Sequence, residues 1–129
     1  MRFKNKKVLV TGANGGIGST LVEALKKEGA LVAVTDINTS NIRADANFDG
    51  NLLDSKFCDD LPMKVYNKLN GIDFLCNIAG VITRGKIDEV TDDDYNLTMK
   101  VNVEAPFRLC RASIPLMNSG AVNLQVLMC

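Results

Sequence analysis

The residues from Lys7 to Gly18 have the types and spacing of an anion-binding turn. Their sequence, KVLVTGANGGIG, places a short apolar run before several glycines and a helical pattern after them. Glycines at the start of a helix let backbone N–H groups and the positive end of the helix dipole approach a phosphate closely. The pattern therefore predicts a phosphate-containing ligand. The alternative is a turn that needs glycine only for its own geometry.

Two spacings of the glycine motif are open. Gly12, Gly16 and Gly18 fit T-G-x-x-x-G-x-G, whereas Gly12, Gly15 and Gly18 fit T-G-x-x-G-x-x-G. Both patterns are relatives of the dinucleotide-binding loop, so the turn alone does not distinguish them. Residues further along the chain have to decide which spacing applies.

A second candidate for chemistry is Asp36, which follows the apolar run Leu31–Thr35. It lies about twenty residues beyond the glycine turn, where a dinucleotide-binding fold places a carboxylate that accepts hydrogen bonds from the adenosine ribose. A negative charge there would repel the 2′-phosphate of NADP, so the position predicts a preference for NAD. An Asp that merely ends a strand is the alternative. The succession of strand, glycine turn, helix, strand and acid disfavours that alternative.

Apolar runs predict the strands that position these residues. They lie at Val8–Val10, Leu31–Thr35 and Ile72–Cys76, with a short strand within 47–53 and a fifth at 121–129. Helical patterns separate the runs. Parallel strands joined by right-handed crossovers are therefore expected, in a three-layer α/β sandwich.

Two helices are predicted in the first part of the chain. One follows the glycine turn and stops at Gly29. The other is capped by Asp59 or Asp60, carries Pro62 in its first turn and ends at Asn70–Gly71. Both have an apolar face that would pack on the sheet.

A third helix begins at Thr91, with Asp94 in the capping-box position, and runs to Ile114 with a kink predicted at Pro106. The three acids after Thr91 are interpreted as helix-start chemistry and not as a metal site. Asn102 is a poor helix former among apolar residues, so it is either a satisfied structural group or a functional one. On its own it is interpreted as structural.

Composition excludes several classes of protein. Fifteen basic residues balance fifteen acidic ones, which gives no reason to expect nucleic acid. Histidine is absent and the four cysteines show no C-x-x-C pairing, so no zinc or other metal site is expected. The cysteines are interpreted as small buried hydrophobes in a reducing cytoplasm. The apolar run behind MRFKNKK is too short for a signal peptide or a membrane span.

Together these motifs resemble the short-chain dehydrogenase/reductase family in its single-domain form. The matching residues are T-G-x-x-x-G-x-G, Asp36, Asn77-x-Ala79-Gly80 and Asn102 within VNVEAPF. The sugar-nucleotide epimerase branch would use the other glycine spacing and lacks the Asn-Ala-Gly element. Among members the chain is similar to bacterial 3-oxoacyl-acyl carrier protein reductases, which does not fix a substrate. The resemblance implies a single, partial Rossmann domain over residues 1–129, a doubly wound parallel sheet truncated after about five strands.

The resemblance also implies roles for individual residues. Gly12, Gly16 and Gly18 would face the pyrophosphate, and Asp36 would hold the ribose. Residues Asn77, Ala79 and Gly80 would brace the sheet beside the cofactor, and Asn102 matches the asparagine that holds a water in a proton relay. Ile78 departs from the family's frequent second Asn, and Asn51 replaces an Asp that commonly contacts adenine. The candidate cofactor-binding set is Gly12, Asn14, Gly15, Gly16, Ile17, Gly18, Asp36, Ile37, Asn51, Leu52, Asn77, Ala79 and Gly80, and the one catalytic candidate is Asn102.

The family's chemistry further needs a Ser, a Tyr acting as general acid/base and a Lys four residues beyond it, since a phenol with a pKa near 10 is otherwise a poor base at neutral pH. Gln125 and Val126 stand where the serine pair would be, and the chain ends before any Tyr-x-x-x-Lys. The two tyrosines, Tyr66 and Tyr95, lie on predicted helices elsewhere. A fragment that is inactive alone is therefore expected.

Three functions remain open from the sequence. The first is an NAD-dependent oxidoreductase of this family, present as a fragment, whose complete form would act on a small carbonyl or alcohol substrate. The second is an NAD-binding module without catalysis, and the third is an interaction protein that has lost the ligand. Apolar surface left uncovered on the last strand and on the Asn102 helix predicts that the chain either associates, for example as a homo-oligomer, or is only marginally stable.

Overall fold

The computed structural model describes residues 1–125 of the 129-residue chain, with side chains to residue 118. Five parallel strands form one sheet in the order β3-β2-β1-β4-β5. This confirms the predicted α/β fold with a doubly wound parallel sheet. The strands are β1 Lys7–Thr11, β2 Leu31–Asp36, β3 Ala46–Asp49, β4 Ile72–Asn77 and β5 Met117–Gln125. The helices are α1 Gly16–Lys27, α2 Ser55–Leu69, α3 Asp92–Met99 and α4 Ala105–Ser113, with a π-helical turn Lys100–Glu104 and a 3-10 turn Ile114–Leu116.

Both faces of the sheet are covered, which is why the strands are apolar runs and not alternating sequences. On one face Leu9 and Leu75 pack with α2 and α4 in a cluster that includes Leu61 and Leu109. On the other face a second cluster of strand valines packs against α1. The three-layer arrangement follows from these two clusters.

Strand β1 lies at the centre of the sheet and determines where a site can form. Thr11 is in register with Thr35 of β2, and Val10 is in register with Cys76 of β4. The carboxyl ends of the three strands therefore meet at one edge, where the strand order changes direction. Open parallel sheets bind ligands in the crevice at such a point.

Helix α2 starts earlier than the sequence predicts. Its N-cap is Asp54, whose carboxylate accepts hydrogen bonds from the backbone N–H groups of Lys56 and Phe57 at 3.0 and 3.2 Å. The prediction of a cap at Asp59 or Asp60 is therefore wrong. The prediction failed because it placed the end of the third strand as late as residue 53. Strand β3 in fact ends at Asp49, which leaves room for Asp54 to begin the helix.

Of the two other predictions for α2, the position of Pro62 is wrong and the end of the helix is confirmed. Pro62 lies inside the helix and not in its first turn. The predicted end is confirmed, because Asn70 adopts a left-handed conformation and its N–H donates to the Tyr66 carbonyl. A residue in this conformation closes a helix by satisfying its last carbonyls.

The long third helix is interrupted. Thr91 and Asp94 form the predicted capping box. The Lys100–Glu104 turn then separates α3 from α4, and Pro106 lies in the first turn of α4. Pro106 has no N–H to donate to the Asn102 carbonyl four residues earlier, so a regular α-helical ladder cannot continue through this point. The predicted irregularity at Pro106 is a π turn just before the proline.

Strand β5 begins at Met117, four residues before the predicted start at residue 121, and residues 126–129 lie outside the described part. Across residues 1–125, the helices are all too short or too polar to span a membrane.

Candidate functional site

A cavity of about 580 Å³ opens at the carboxyl ends of β1, β2 and β4. Its volume is in the range of pockets that hold small molecules and cofactors. Eleven of the fourteen predicted site residues line it, and Asn14, Asn77 and Asn102 do not. The lining consists of Gly12, Gly15, Gly16, Ile17, Gly18, Asp36, Ile37, Gly50, Asn51, Leu52, Leu53, Ile78, Ala79, Gly80, Val81, Leu97 and Val101.

Gly12 packs the glycine turn against the segment that follows β4. Its φ is +64°, a left-handed conformation that side chains disfavour. A Cβ atom at this position would stand 2.7 Å from the backbone N and Cα of Ala79. The turn therefore contacts the segment just after β4 directly, and only glycine permits the contact.

The other two motif glycines differ in what surrounds them. A Cβ at Gly18 would stand 2.1 Å from the Gly12 carbonyl oxygen, so Gly18 is required by the packing of the turn itself. Among the described residues, a Cβ at Gly16 would meet no atom within 4 Å apart from its chain neighbours and the backbone of its own helix. Gly16 therefore borders open space in the cavity, and this space is where a ligand can approach the backbone.

The start of α1 is built differently from the starts of α2 and α3. Asp54 caps α2 and Thr91 caps α3, each with a side-chain oxygen. Within the described residues, α1 has Gly15 as N-cap with no side-chain hydrogen bond and no acid in its first turn. The first N–H groups of a helix have no partner within the helix itself. The cavity therefore faces a helix end suited to an anion.

Asp36 lies across the same cavity and is half-buried. Its carboxylate accepts one hydrogen bond from the backbone N–H of Asn14 at 2.9 Å and another from that of Ile37 at 2.8 Å. Asn14 is thus a backbone support for Asp36, while its own side chain is outside the cavity lining. The two bonds set the orientation of the carboxylate beside the cavity.

The buried hydroxyl of Thr11, which the sequence did not identify as part of the site, binds the backbone beneath the cavity. Thr11 is 1% exposed, and its Oγ1 accepts hydrogen bonds from the N–H groups of Ile78 and Ala79, both at 3.1 Å. These bonds hold the end of β4 against the end of β1. Thr11 begins the T-G motif and is visible in the sequence, but its hydrogen-bond partners cannot be predicted from it because they are far away along the chain.

Asn102 is satisfied by backbone and not by another side chain. Its Oδ1 accepts from the Val81 N–H at 2.9 Å, and its Nδ2 donates to the Val81 carbonyl at 2.8 Å. The π turn thus holds the loop that follows β4. Asn77 is 1% exposed and donates to the Cys110 Sγ at 3.6 Å, so it lies behind the cavity and not in its lining.

Several lining residues were not predicted from the sequence. The segment Gly50–Leu53 contributes two of them beside Asn51 and Leu52, and Leu97 and Val101 reach the cavity from the other side. The rule that ligands bind beyond the carboxyl ends of strands could have found Ile78 and Val81. The helix residues gave no local signal, because their place depends on how the π turn packs.

Two of the described cysteines, Cys58 and Cys76, are not candidate nucleophiles. Cys58 and Cys76 are buried, and burial raises the pKa of each thiol to about 11. Both are therefore protonated at neutral pH, whereas the nucleophilic form is the thiolate. For these two residues this agrees with the interpretation as small buried hydrophobes, whereas Cys110 is only partly buried and Cys129 lies outside the described residues.

Comparison with known proteins establishes the family. The profile of the family described as short chain dehydrogenase matches residues 6–124. An uncharacterised oxidoreductase of Thermotoga maritima is 31% identical over 98% of this chain and 55% of that protein. The chain belongs to the short chain dehydrogenase family, as its motifs predict.

Solved structures agree in fold. A short chain dehydrogenase from Burkholderia cenocepacia, crystallised with NADP, superposes with a TM-score of 0.89 at 27% identity, over 97% of this chain and 56% of that one. A blue fluorescent protein from a metagenomic library, crystallised with NADPH, gives 0.88 at 28% identity, with the same two coverages. The chain thus spans a little over half the length of these relatives.

Proposed function

We propose that this chain is the cofactor-binding part of a short chain dehydrogenase and that it binds NAD. The observation that carries the proposal is the pairing of an uncapped helix start with the Asp36 carboxylate across one cavity. The helix start suits a pyrophosphate, and the carboxylate suits the ribose hydroxyls. A turn that needed glycine only for geometry would not require the open space at Gly16.

The residues present fit a dinucleotide. Gly16 and Ile17 would hold the pyrophosphate through backbone N–H groups, Asp36 would hold the adenosine ribose, and Ile37 and Leu52 would offer apolar surface to the adenine. Ala79 and Gly80, just after β4, would lie beside the nicotinamide half. When bound, the nicotinamide supplies hydride transfer to or from a carbonyl or alcohol carbon.

Preference for NAD over NADP is the finer part of the proposal. Two solved relatives were crystallised with NADP or NADPH, so NADP is the competing ligand. In this chain Asp36 presents a carboxylate fixed by two backbone donors, which would repel a 2′-phosphate. Neither the neighbouring Ile37 nor Asn38 carries a positive charge that could offset this repulsion.

Catalysis is proposed for a longer chain that supplies a Ser, a Tyr and a Lys. Asn102 would contribute through its place in the π turn beside the loop after β4, in line with the family's proton relay. The 129-residue chain alone is expected to turn over no alcohol or ketone. The competing proposal, a cofactor-binding module with no catalytic form, rests on the same cavity.

Self-association is also proposed. Met99, Val103 and Phe107 are spaced four residues apart along the α3–α4 segment and are 39, 50 and 57% exposed. Such a row of apolar side chains fits a second copy of the chain.

Calorimetric titration of the chain with NAD, NADP and AMP tests the central proposal. Saturable binding of NAD, weakened in D36A, supports it, and turnover assays with a longer chain then separate the enzyme from the module. Absence of binding by all three nucleotides would favour an interaction protein.

A further inference from the structure

The segment that follows Asp36 is held in place by the edge strand β3. Thr39 is 2% exposed, although its neighbours Asn38 and Ser40 are exposed. Its N–H and its Oγ1 both donate to the Oδ1 of Asp49, at 2.9 and 2.6 Å. A single carboxylate oxygen of Asp49 thus accepts hydrogen bonds from both the backbone N–H and the side-chain hydroxyl of Thr39.

A second side chain of β3 supports the same segment. The Nδ2 of Asn47 donates to the carbonyls of Thr39 and Ile42, at 2.9 and 3.1 Å. Asn47 and Asp49 are two positions apart, so they project to the same face of the strand. The segment is therefore folded onto one face of β3 by two neighbouring groups.

The two ends of the peptide that carries Ile37 are both fixed. Asp36 is in register with Asp49, and the Gly50 N–H donates to the Asp36 carbonyl at 3.0 Å. Three residues later Thr39 is held by Asp49. Ile37, whose N–H donates to the Asp36 carboxylate, lies between these two anchors.

We propose that Asp49 is a positioning residue for cofactor selectivity. Through Thr39 it fixes the Ile37 peptide, and through that peptide it orients the Asp36 carboxylate toward the ribose and against a 2′-phosphate. Asp49 itself does not line the cavity, so it would act on a bound ligand only through the residues that it positions. The inference rests on the proposed binding of NAD.

The charge state of Asp49 agrees with this role. The side-chain hydrogen bond from Thr39, followed by its backbone hydrogen bond, lowers the pKa of Asp49 below its usual 3.8. The carboxylate is therefore ionised at neutral pH, when it is the stronger acceptor.

The test uses two probes that differ only by the 2′-phosphate, namely 5′-AMP and adenosine 2′,5′-bisphosphate. Their dissociation constants are measured by calorimetry for the wild-type chain and for D49A, T39V and T39S. D45A is the matched control, since Asp45 lies just before β3 and pairs with Lys26 and Val32 instead of Thr39. The readout is the selectivity ratio, which is the dissociation constant for adenosine 2′,5′-bisphosphate divided by that for 5′-AMP. A general loss of stability would weaken both probes alike and leave this ratio unchanged.

We expect D49A to lower the selectivity ratio about tenfold, as loss of two charge-assisted hydrogen bonds frees the peptide. T39V should give a smaller decrease, while T39S and D45A should keep the wild-type ratio. In a D36A background the Asp49 substitution should have no further effect on the ratio, because the carboxylate it orients is gone. If D49A does not fold, T39V against T39S decides the question.

An unchanged ratio in folded D49A or T39V overturns the inference. A decrease that persists in the D36A background also overturns it, since Asp49 would then act on the phosphate without Asp36. Failure of the wild-type chain to bind either probe overturns the proposed function first and the inference with it.

Discussion

The backbone N–H of Asn14 donates to the Asp36 carboxylate at 2.9 Å, and this bond joins the glycine turn to the end of β2. The two parts of the cavity that would recognise the phosphates and the ribose are therefore one hydrogen-bonded unit. Neither part can shift without changing the other.

Removal of the Asp36 carboxylate should weaken NAD binding more than NADP binding. We expect the affinity of D36A for NAD to fall about tenfold to a hundredfold, the usual effect of losing hydrogen bonds to a charged group. NADP affinity should fall less or rise. Titration of both nucleotides measures the effect, with D73A, which changes an acid at the opposite end of the sheet, as the control. Equal losses for the two nucleotides would contradict the assignment of Asp36.

Two motif glycines should respond differently to alanine. G18A should lose about 1–3 kcal/mol of unfolding free energy, because its Cβ would overlap the Gly12 carbonyl. G16A should remain within about 1 kcal/mol of the wild type, since among the described residues its Cβ meets no atom beyond its chain neighbours and its own helix, and alanine favours a helix. Urea denaturation gives these values.

The nucleotide affinity of the folded G16A variant completes this comparison. The added methyl group projects into the space where a phosphate would approach, so NAD binding should weaken about tenfold or more. Wild-type affinity in G16A would show that the phosphate site lies elsewhere.

Loss of the Asn102 side chain should loosen the loop after β4. N102A removes both hydrogen bonds to the Val81 backbone, and we expect it to cost about 1–3 kcal/mol. Hydrogen exchange at the Val81 amide should accelerate. Asn96, which is exposed on α3, offers the control N96A, with an expected change below about 0.5 kcal/mol. A slow Val81 amide in folded N102A would refute the coupling.

The start of α2 can be tested by substitution at its cap. D54A should destabilise the chain by about 1 kcal/mol, and D54S should recover most of that loss. D60A should have little effect, since the Asp60 side chain forms an exposed ion pair with Lys56, and such pairs contribute little to stability. Urea denaturation of the three variants checks this. A larger loss in D60A than in D54A would restore the start predicted from the sequence.

Acid should destabilise the chain through Asp45. Burial tends to raise the pKa of this carboxyl, but its hydrogen bonds with Lys26 and the Val32 N–H outweigh burial and lower the pKa below 3.8. The resulting stabilisation is complete above the unfolded value and is lost as pH falls through the folded value. Urea midpoints between pH 6 and pH 3 should therefore decline, and D45N should decline less. Parallel curves for the two proteins would exclude this role.

Association should depend on the exposed row Met99, Val103 and Phe107. F107E should lower the apparent mass in sedimentation experiments, whereas I87E, at a loop residue that is 93% exposed, should not. A monomeric wild-type chain with a sharp two-state melt would dismiss the homo-oligomer.

Local sequence patterns are sufficient to predict most of the fold. Strands β1, β2 and β4 are buried on both faces, so their apolar runs were visible, and Asp36 followed from its distance to the glycine turn. Strand β3 was misplaced because only Ala46 of its four residues is buried, which leaves no periodicity to find. The error in β3 then moved the predicted cap of α2 away from Asp54.

The least predictable parts of the site depend on contacts between distant residues. Thr39 and Asp49 look like ordinary loop and strand-end residues until the sheet places them together. Asn102 was singled out by its polarity, but its partner is the backbone of Val81, which has no sequence signature. The π turn requires the position of Pro106 and the packing of α4 at the same time.

The hydrogen bond from Ala79 to Thr11 spans 68 positions of the chain. During synthesis the unit of β1, α1 and β2 leaves the ribosome before β4, with its glycines and its acid already close in sequence. The other wall of the crevice forms only when β4 has emerged and paired with β1. A nascent chain that stops before β4 would therefore carry the groups proposed to select the nucleotide without the surface that would enclose it, so the proposed recognition would be acquired late in folding.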